Sequence, residues 1–270
     1  ARALAIWEKA LGPDHPDTAA GLDNLASVLK AMGDLRAARP LFERALAIRE
    51  KALGSDHPDT AASLNNLALL LQALGDLPAA RPLHERALAI REKAQGPEHP
   101  GTATSLNNLA LLLQATGDLP AARSLFERAV AIWEKALGPD HPHTAAGLNC
   151  LAGLLQDMGD FPAARPHYER ALAIREKTLG PEHPDTAMSL NNLARLLQNM
   201  GDLPAARPLH ERALAIQEES LGPGHPDVAT TLNGLAIMLL DPGDLDGAKA
   251  LYERALAIRV QALGPEHPLV

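Results

Sequence analysis

Aromatic side chains are scarce: two Trp, two Tyr and three Phe make up 3% of 270 residues. A hydrophobic core therefore has to be built from Leu, Ala and Ile. Leu and Ala favour helices, and the β-branched residues that favour strands are few, so the composition reads all-α. Cysteine is nearly missing as well. The single Cys150 excludes an intramolecular disulfide and fits a reducing, cytoplasmic setting. No apolar run approaches the ~18 residues of a membrane-crossing helix, and no signal peptide is visible. Basic charge is short too: 25 Lys and Arg face 33 Asp and Glu, a net charge of −8. That balance argues against nucleic acid as a partner, because a phosphate backbone needs clustered cations. The chain opens at Ala1 in mid-pattern without an initiator Met and reads as a fragment or a processed form.

What the chain has in abundance is one motif. Gly-Pro-Glu/Asp-His-Pro, with small variations, returns with its histidine at His15, His57, His99, His141, His183, His225 and His267, each 42 residues from the last. The period divides the sequence into a half repeat at 1–15, full repeats at 16–57, 58–99, 100–141, 142–183, 184–225 and 226–267, and a tail at 268–270. Fixed-period self-similarity is the signature of a repeat array, in which each unit buries its apolar faces only against its neighbours.

Residues 58–99 show how one unit is built. Pro58 suits a first helical position, and Asp59 complements the helix dipole. His57, Asp59 and Thr60 are all candidate caps. Ala61, Leu64, Leu67, Ala68 and Leu71 follow helical spacing. Gly75 ends the first helix, Asp76 caps the second, and Gly96-Pro97 stops it near Gln95. Arg81 and Glu85 form an i,i+4 pair on what reads as a solvated face. Each unit is thus a helical hairpin. Ala68, Ala80 and Ala87 recur in every full repeat, so helices can approach closely within and between hairpins.

Leu67-Ala68, Gly75-Asp76, Ala80 and Ala87, with Phe42, Phe126, Tyr168, Tyr252 or His84 and His210 at an aromatic site, resemble the tetratricopeptide-repeat signature. The phrase Leu-Asn-Asn-Leu-Ala…Arg-Ala-Leu-Ala-Ile-Arg-Glu-Lys-Ala-Leu-Gly is similar to the 42-residue version found in kinesin light chains. The resemblance covers the whole chain. It implies an all-α, right-handed superhelical solenoid of antiparallel helix hairpins whose first helices line a concave groove for peptides or partner proteins. Pro40, Pro82, Pro166 and Pro208 depart from the pattern. They lie past the free first turn of the second helix, where a proline removes a hydrogen bond, and predict a kink or a distorted first turn.

No reactive constellation emerges. Equivalent histidines of adjacent repeats stand at least a helix-packing distance apart, ~8–10 Å, too far to share a zinc ion at ~2.0–2.1 Å. They read as loop or capping residues. His84, His167 and His210 read as packing residues, Cys150 as a buried inert thiol, and the conserved-register glutamates as solvated charges. No phosphate-binding loop is present, and no cofactor is expected. Trp7 and Trp133, at equivalent places near second-helix ends, either anchor a partner or pack locally.

The resemblance points instead to an amide series. Its geometry turns Asn65, Leu69, Gln72 and Ala73 toward the groove and leaves Asn66 to the hairpin contacts. The corresponding candidates are Asn107, Leu111 and Gln114; Asn149, Gln156 and Asp157; Asn191, Arg195, Gln198 and Asn199; and Asn233 and Asp241. Amides both donate and accept, so such a ladder can hold an extended peptide backbone; alternatively it satisfies neighbouring helices. Charge placement makes the groove nearly neutral, with Lys30 and Arg195 as its cations. Repeats two and three have nearly the same groove residues, whereas four to six diverge at Gly153, Asp157, Arg195, Asn199, Ile237 and Asp241, which favours a specific site in the C-terminal half. The uncapped ends require flanking sequence or end-to-end association with other chains. The reading is a non-enzymatic interaction scaffold that binds an extended peptide or partner protein. The alternative is a sensor or regulatory arm of a larger protein, such as a nucleotide-driven switch, with little binding of its own.

Overall fold

The computed structural model describes residues 9–10, 12–240 and 243–264. Trp7, Asp241, His267, the 268–270 tail and most of the 1–15 half repeat lie outside them. Among the described residues there are twelve long helices and no strand. They fall into two compact units, Ala1–Leu137 and Gly138–Val270. The first contains α1 (Pro16–Ala31), α2 (Leu35–Leu53), α3 (Pro58–Ala73), α4 (Leu77–Gln95), α5 (Pro100–Ala115) and α6 (Leu119–Leu137). The second contains α7 (Pro142–Asp157), α8 (Phe161–Leu179), α9 (Pro184–Asn199), α10 (Leu203–Leu221), α11 (Pro226–Leu240) and α12 (Leu245–Leu263). Odd-numbered helices are the first of each hairpin and even-numbered ones the second.

Local chemistry sets every boundary. His57 is the N-cap of α3: its Nδ1 accepts from the Asp59 backbone N–H at 3.1 Å. Thr60, the other polar candidate, donates its hydroxyl to the Gly54 carbonyl at 2.8 Å and ties the preceding loop. The same cap recurs at His15, His99, His141, His183 and His225. A ring that accepts at Nδ1 must carry its proton on Nε2. At the hairpin turn Gly75 has φ +81°, and the Gly75 and Asp76 N–H groups return to the carbonyls of Gln72 and Leu71 at 2.9 Å. This is the paired C-terminal closure that a left-handed glycine permits. Asp76 then caps α4 through Ala79 N–H at 3.2 Å. Pro82 does not break α4, which runs the same nineteen residues as α6, where Ser124 stands in its place. Pro82 is exposed.

Packing follows the small residues. Ala68, Ala80 and Ala87 are fully buried, as are Ala26, Ala38 and Ala45 and their counterparts in later repeats. Within each unit a first helix packs on its own partner, on the second helix before it, and along the neighbouring first helices. Ala61, Leu64, Ala87 and Ile90 close one hairpin core, with Leu46 reaching in from the preceding helix. Trp133 belongs to such a core: it is 3% exposed among Ala103, Leu106, Ala129 and Ile132. That settles its role as packing and removes it as a surface anchor.

Polar side chains also join repeats. Arg49 of α2 crosses to the next first helix and donates to Ser63 Oγ at 2.6 Å and to the Asp59 carbonyl at 3.2 Å. Arg175 of α8 does the same to Ser189 Oγ and the Asp185 carbonyl, both at 2.9 Å. Successive second helices are bridged by Arg86–Glu50, Arg128–Glu92 and Arg212–Glu176 at 2.6–2.7 Å.

Candidate functional site

The amide series runs along the seam between neighbouring first helices, and much of it is already engaged. Asn65 is 4% exposed rather than open to a groove. Its Nδ2 donates to Ser105 Oγ of the next first helix at 3.0 Å, and its Oδ1 faces His84 Nδ1 at 2.8 Å. Gln72 Oε1 lies 3.0 Å from the other nitrogen of that ring. His84 is completely buried, and burial pushes its pKa down to about 4. At the head of the series Asp23 is buried and pairs with Arg49 at 2.6 Å; burial raises its carboxyl despite that guanidinium. Asn107 and Leu111 are half-buried, as is Gln114. Phe126 occupies the place of His84 in that repeat, and Asn107 Oδ1 is left buried without a hydrogen-bond partner. The comparison shows what the histidine does in repeat two: it satisfies the inward-turned amide.

In the second unit Asn149 accepts from Asn192 Nδ2 at 2.9 Å, so the second amide of the pair serves the contact between first helices. Gln156 accepts from the Tyr168 hydroxyl at 3.3 Å. Asp157 and Asn199 are exposed at the ends of α7 and α9. Cys150 lies beside Asn149 with its thiol pushed up to about 11 by burial, an unreactive state.

Four of the sequence candidates converge. Asn191, Arg195 and Gln198 of α9 and Asn233 of α11 line a cleft of about 190 Å³ together with Asn192, His210, Thr230, Gly234 and Ile237. Its floor is a polar triad. His210 Nδ1 meets Asn191 Oδ1 at 2.8 Å and Nε2 meets Gln198 Oε1 at 3.1 Å. Asn191 Nδ2 donates onward to Thr231 Oγ1, and Gln198 Nε2 donates to the Gly234 carbonyl at 2.7 Å. With its amide oxygen turned to the guanidinium, Asn233 accepts from Arg259 at 2.9 and 3.2 Å. Arg195 and Ile237 are exposed, and no carboxylate is among the lining residues. His210 is 3% exposed, and its pKa falls to about 4 through burial and, secondarily, the charge of Arg195.

From sequence alone His210 reads as packing and Gly234 has no role. The available signal was a coincidence of two exceptions: a histidine at the aromatic position, and glycine where an asparagine usually stands. A Cβ at Gly234 would meet the His210 ring at 2.6 Å, so the glycine lets α11 close over the imidazole. The equivalent place in the first unit keeps a cation and puts Phe42 where His210 stands. Ser27, Lys30, Ala31, Phe42, Asn66 and Leu69 line a cleft of about 390 Å³. Burial lowers the pKa of Lys30 there.

Antiparallel helix hairpins stacked one after another define a helical-repeat protein. The tetratricopeptide-repeat profile matches residues 1–51, 20–93, 59–135, 102–149, 143–219 and 190–261. The chain belongs to the tetratricopeptide-repeat family and is of the kinesin-light-chain-like type. It is 36% identical to a Podosopora anserina putative kinesin light chain with nearly identical repeats, over 76% of this chain and 98% of that one, at a TM-score of 0.63. BtubC (BKLC) from P. vanneervenii shares the fold at 24% identity and a TM-score of 0.66, covering 93% of this chain and 94% of that one. RapI in its apo form shares it at 17% identity and 0.71, covering 96% and 89%. No curated protein sequence matches. Proteins of this family generally serve as interaction scaffolds, typically without catalysis of their own.

Proposed function

We propose that the chain binds an extended segment of a partner protein along its first-helix face, and that the α9–α11 cleft is its principal contact. The observation that carries this reading is the lining of that cleft. An exposed guanidinium, amide and hydroxyl groups at Asn192, Asn233 and Thr230, and an exposed aliphatic side chain at Ile237 surround one recess with no carboxylate among them. On a chain of net charge −8 this is a local electropositive spot. Arg195 would hold an acidic side chain of the partner as a bidentate pair. Asn233 and Thr230 would meet its backbone, and Ile237 an adjacent apolar residue. The inner amides Asn65 and Asn191 support the face rather than contact the segment, because their hydrogen bonds are already made. Leu69, Gln72, Leu111, Gln114, Gln156, Asp157 and Asn199 extend the face within their own units and contribute less. Stable capture of one segment does not need end-to-end self-association.

The test is an array of extended peptides probed with the wild-type chain and with Arg195→Ala/Ile237→Ala. We expect the double variant to lose at least about tenfold in affinity, ~1.4 kcal/mol, with unchanged helix content by circular dichroism. Equal capture by both proteins would remove the α9–α11 cleft as the contact site.

A further inference from the structure

In repeats two, four and five the polar side chain near the end of the first helix is satisfied across its own hairpin. Gln72 meets His84 Nε2 at 3.0 Å, Gln156 accepts from the Tyr168 hydroxyl at 3.3 Å, and Gln198 meets His210 Nε2 at 3.1 Å. The first repeat changes both members of this pair. Lys30 of α1 stands in the glutamine's place, and Phe42 of α2 stands in the place of the histidine or tyrosine. A phenyl ring carries no acceptor oxygen or nitrogen for an ammonium group. Among the described residues nothing pairs with the Lys30 ammonium, and burial is the one influence on it. The lysines of the second helices differ. Lys51, Lys93, Lys135 and Lys177 each reach a carboxylate of a preceding loop, and Lys249 pairs with Glu253.

Lys30 is half-buried, and it lines the cleft of about 390 Å³ with Ser27 and Ala31 of its own helix, Phe42 of α2, and Asn66 and Leu69 of α3. Phe42 is 2% exposed and forms an apolar floor, and the half-buried Leu69 adds an apolar wall. The Ser27 hydroxyl donates to the Asp23 carbonyl at 2.8 Å. No carboxylate is among the lining residues. The two acidic side chains that flank Lys30 in sequence are committed elsewhere: Asp23 pairs with Arg49 at 2.6 Å, and Asp34 accepts from the Ala37 backbone N–H at 3.1 Å. A charge drawn partly out of water costs free energy unless an opposite charge meets it. The ligand complementary to this recess is therefore a carboxylate carried beside an apolar group.

We propose that the α1–α3 cleft is a second docking site, which takes an acidic side chain of an extended partner segment on Lys30 and an adjoining apolar side chain against Phe42 and Leu69. This rests on the reading that the first-helix face takes such segments, but not on the α9–α11 cleft. All six lining residues belong to the first unit, so the site is complete within it. The two clefts differ in what they accept. Lys30 is a compact point charge on a flexible stem, whereas Arg195 presents a planar fork. The α1–α3 cleft therefore tolerates a carboxylate in more orientations, and its selectivity comes from the apolar neighbour.

The test uses the full chain and an array of N-acetylated, C-amidated peptides, each acidic one synthesised also with Asn or Gln in place of its Asp or Glu, so that side chains supply the only carboxylates. Wild type is compared with Lys30→Met, which loses the charge, with Lys30→Arg, which keeps it, and with Arg195→Ala/Ile237→Ala, which disables the other cleft. We expect a set of peptides with an acidic residue beside an apolar one to be retained by Arg195→Ala/Ile237→Ala and by Lys30→Arg, and to lose about tenfold in affinity with Lys30→Met. On the Arg195→Ala/Ile237→Ala protein their amide counterparts should bind weakly. A second measurement needs no variant at Lys30: acetylation of wild type, read by mass spectrometry, should slow at Lys30 when such a peptide is bound and stay unchanged at Lys51 and Lys93. Equal capture by Lys30→Met and wild type, amide counterparts that bind as well as the acids, or a Lys30 that is not protected overturns the α1–α3 site and leaves the α9–α11 reading intact. No peptide retained by wild type overturns both.

Discussion

His84 and His210 show how much one side chain can be asked to do inside this repeat. Each fills the aromatic site and satisfies an inward-turned asparagine, and each is held neutral by burial, with a pKa near 4. In the unfolded chain the same rings take a proton near 6.5. Between about pH 6.5 and 4 the unfolded state therefore binds more protons, and stability falls with falling pH by ~1.4 kcal/mol per pH unit for each ring. Urea unfolding of wild type and His84→Phe/His210→Phe across pH 7.5 to 4.5 checks this. We expect the variant to lose less stability on acidification. An identical slope would mean that the rings are already charged in the folded protein. The sequence marks both positions as core but not as polar hubs, because the partners, Asn65 with Gln72 and Asn191 with Gln198, lie 19 and 12 residues away on another helix.

At the scale of the helix, caps and alanines were readable directly, since each acts within one or two turns or through its size. His57, Gly75 and Asp76 sit where their φ, ψ and hydrogen-bonding needs require, and the alanine seam is buried throughout. The charges were less readable. Lys51, Lys93 and Lys135 bridge at 2.5 Å to Asp14, Asp56 and Glu98 on the loop one repeat earlier, and Lys177 pairs with Asp140. Such bridges span 37 residues, so a reading of i,i+4 neighbours alone takes them for solvated charge. The fifth repeat breaks the series: Glu219 replaces the lysine, and Glu182 occupies the partner position. Glu219→Lys should restore the bridge and raise the urea midpoint slightly. The gain should vanish in molar salt, which screens exposed pairs. A lower midpoint at low salt would show that these bridges do not stabilise the stack.

At the scale of the molecule, a repeat array is held by nearest-neighbour contacts, so damage should stay local. Leu232 is fully buried between α11 and α12 with Val228, Ala229, Ala255 and Ile258. Leu232→Ala should cost ~2–5 kcal/mol. In hydrogen exchange, protection should fall in α10, α11 and α12 while α7 keeps most of its own. Equal losses in α7 and α11 would mean that the unit unfolds as one block. The hairpin and its stacking follow from the sequence alone, because 42-residue periodicity, leucine spacing and capping residues act locally and repeat without change. Which polar side chains turn inward and which stay exposed was decided only by the packed helices. An asparagine at one register lies along the seam, and whether it turns inward depends on the residue opposite: a serine or threonine on the next first helix, and a histidine or phenylalanine across the hairpin. Those neighbours meet only when the chain is folded, so the inward turn of Asn65 and the gathering of Arg195, Asn233 and Ile237 around His210 belong to the tertiary structure.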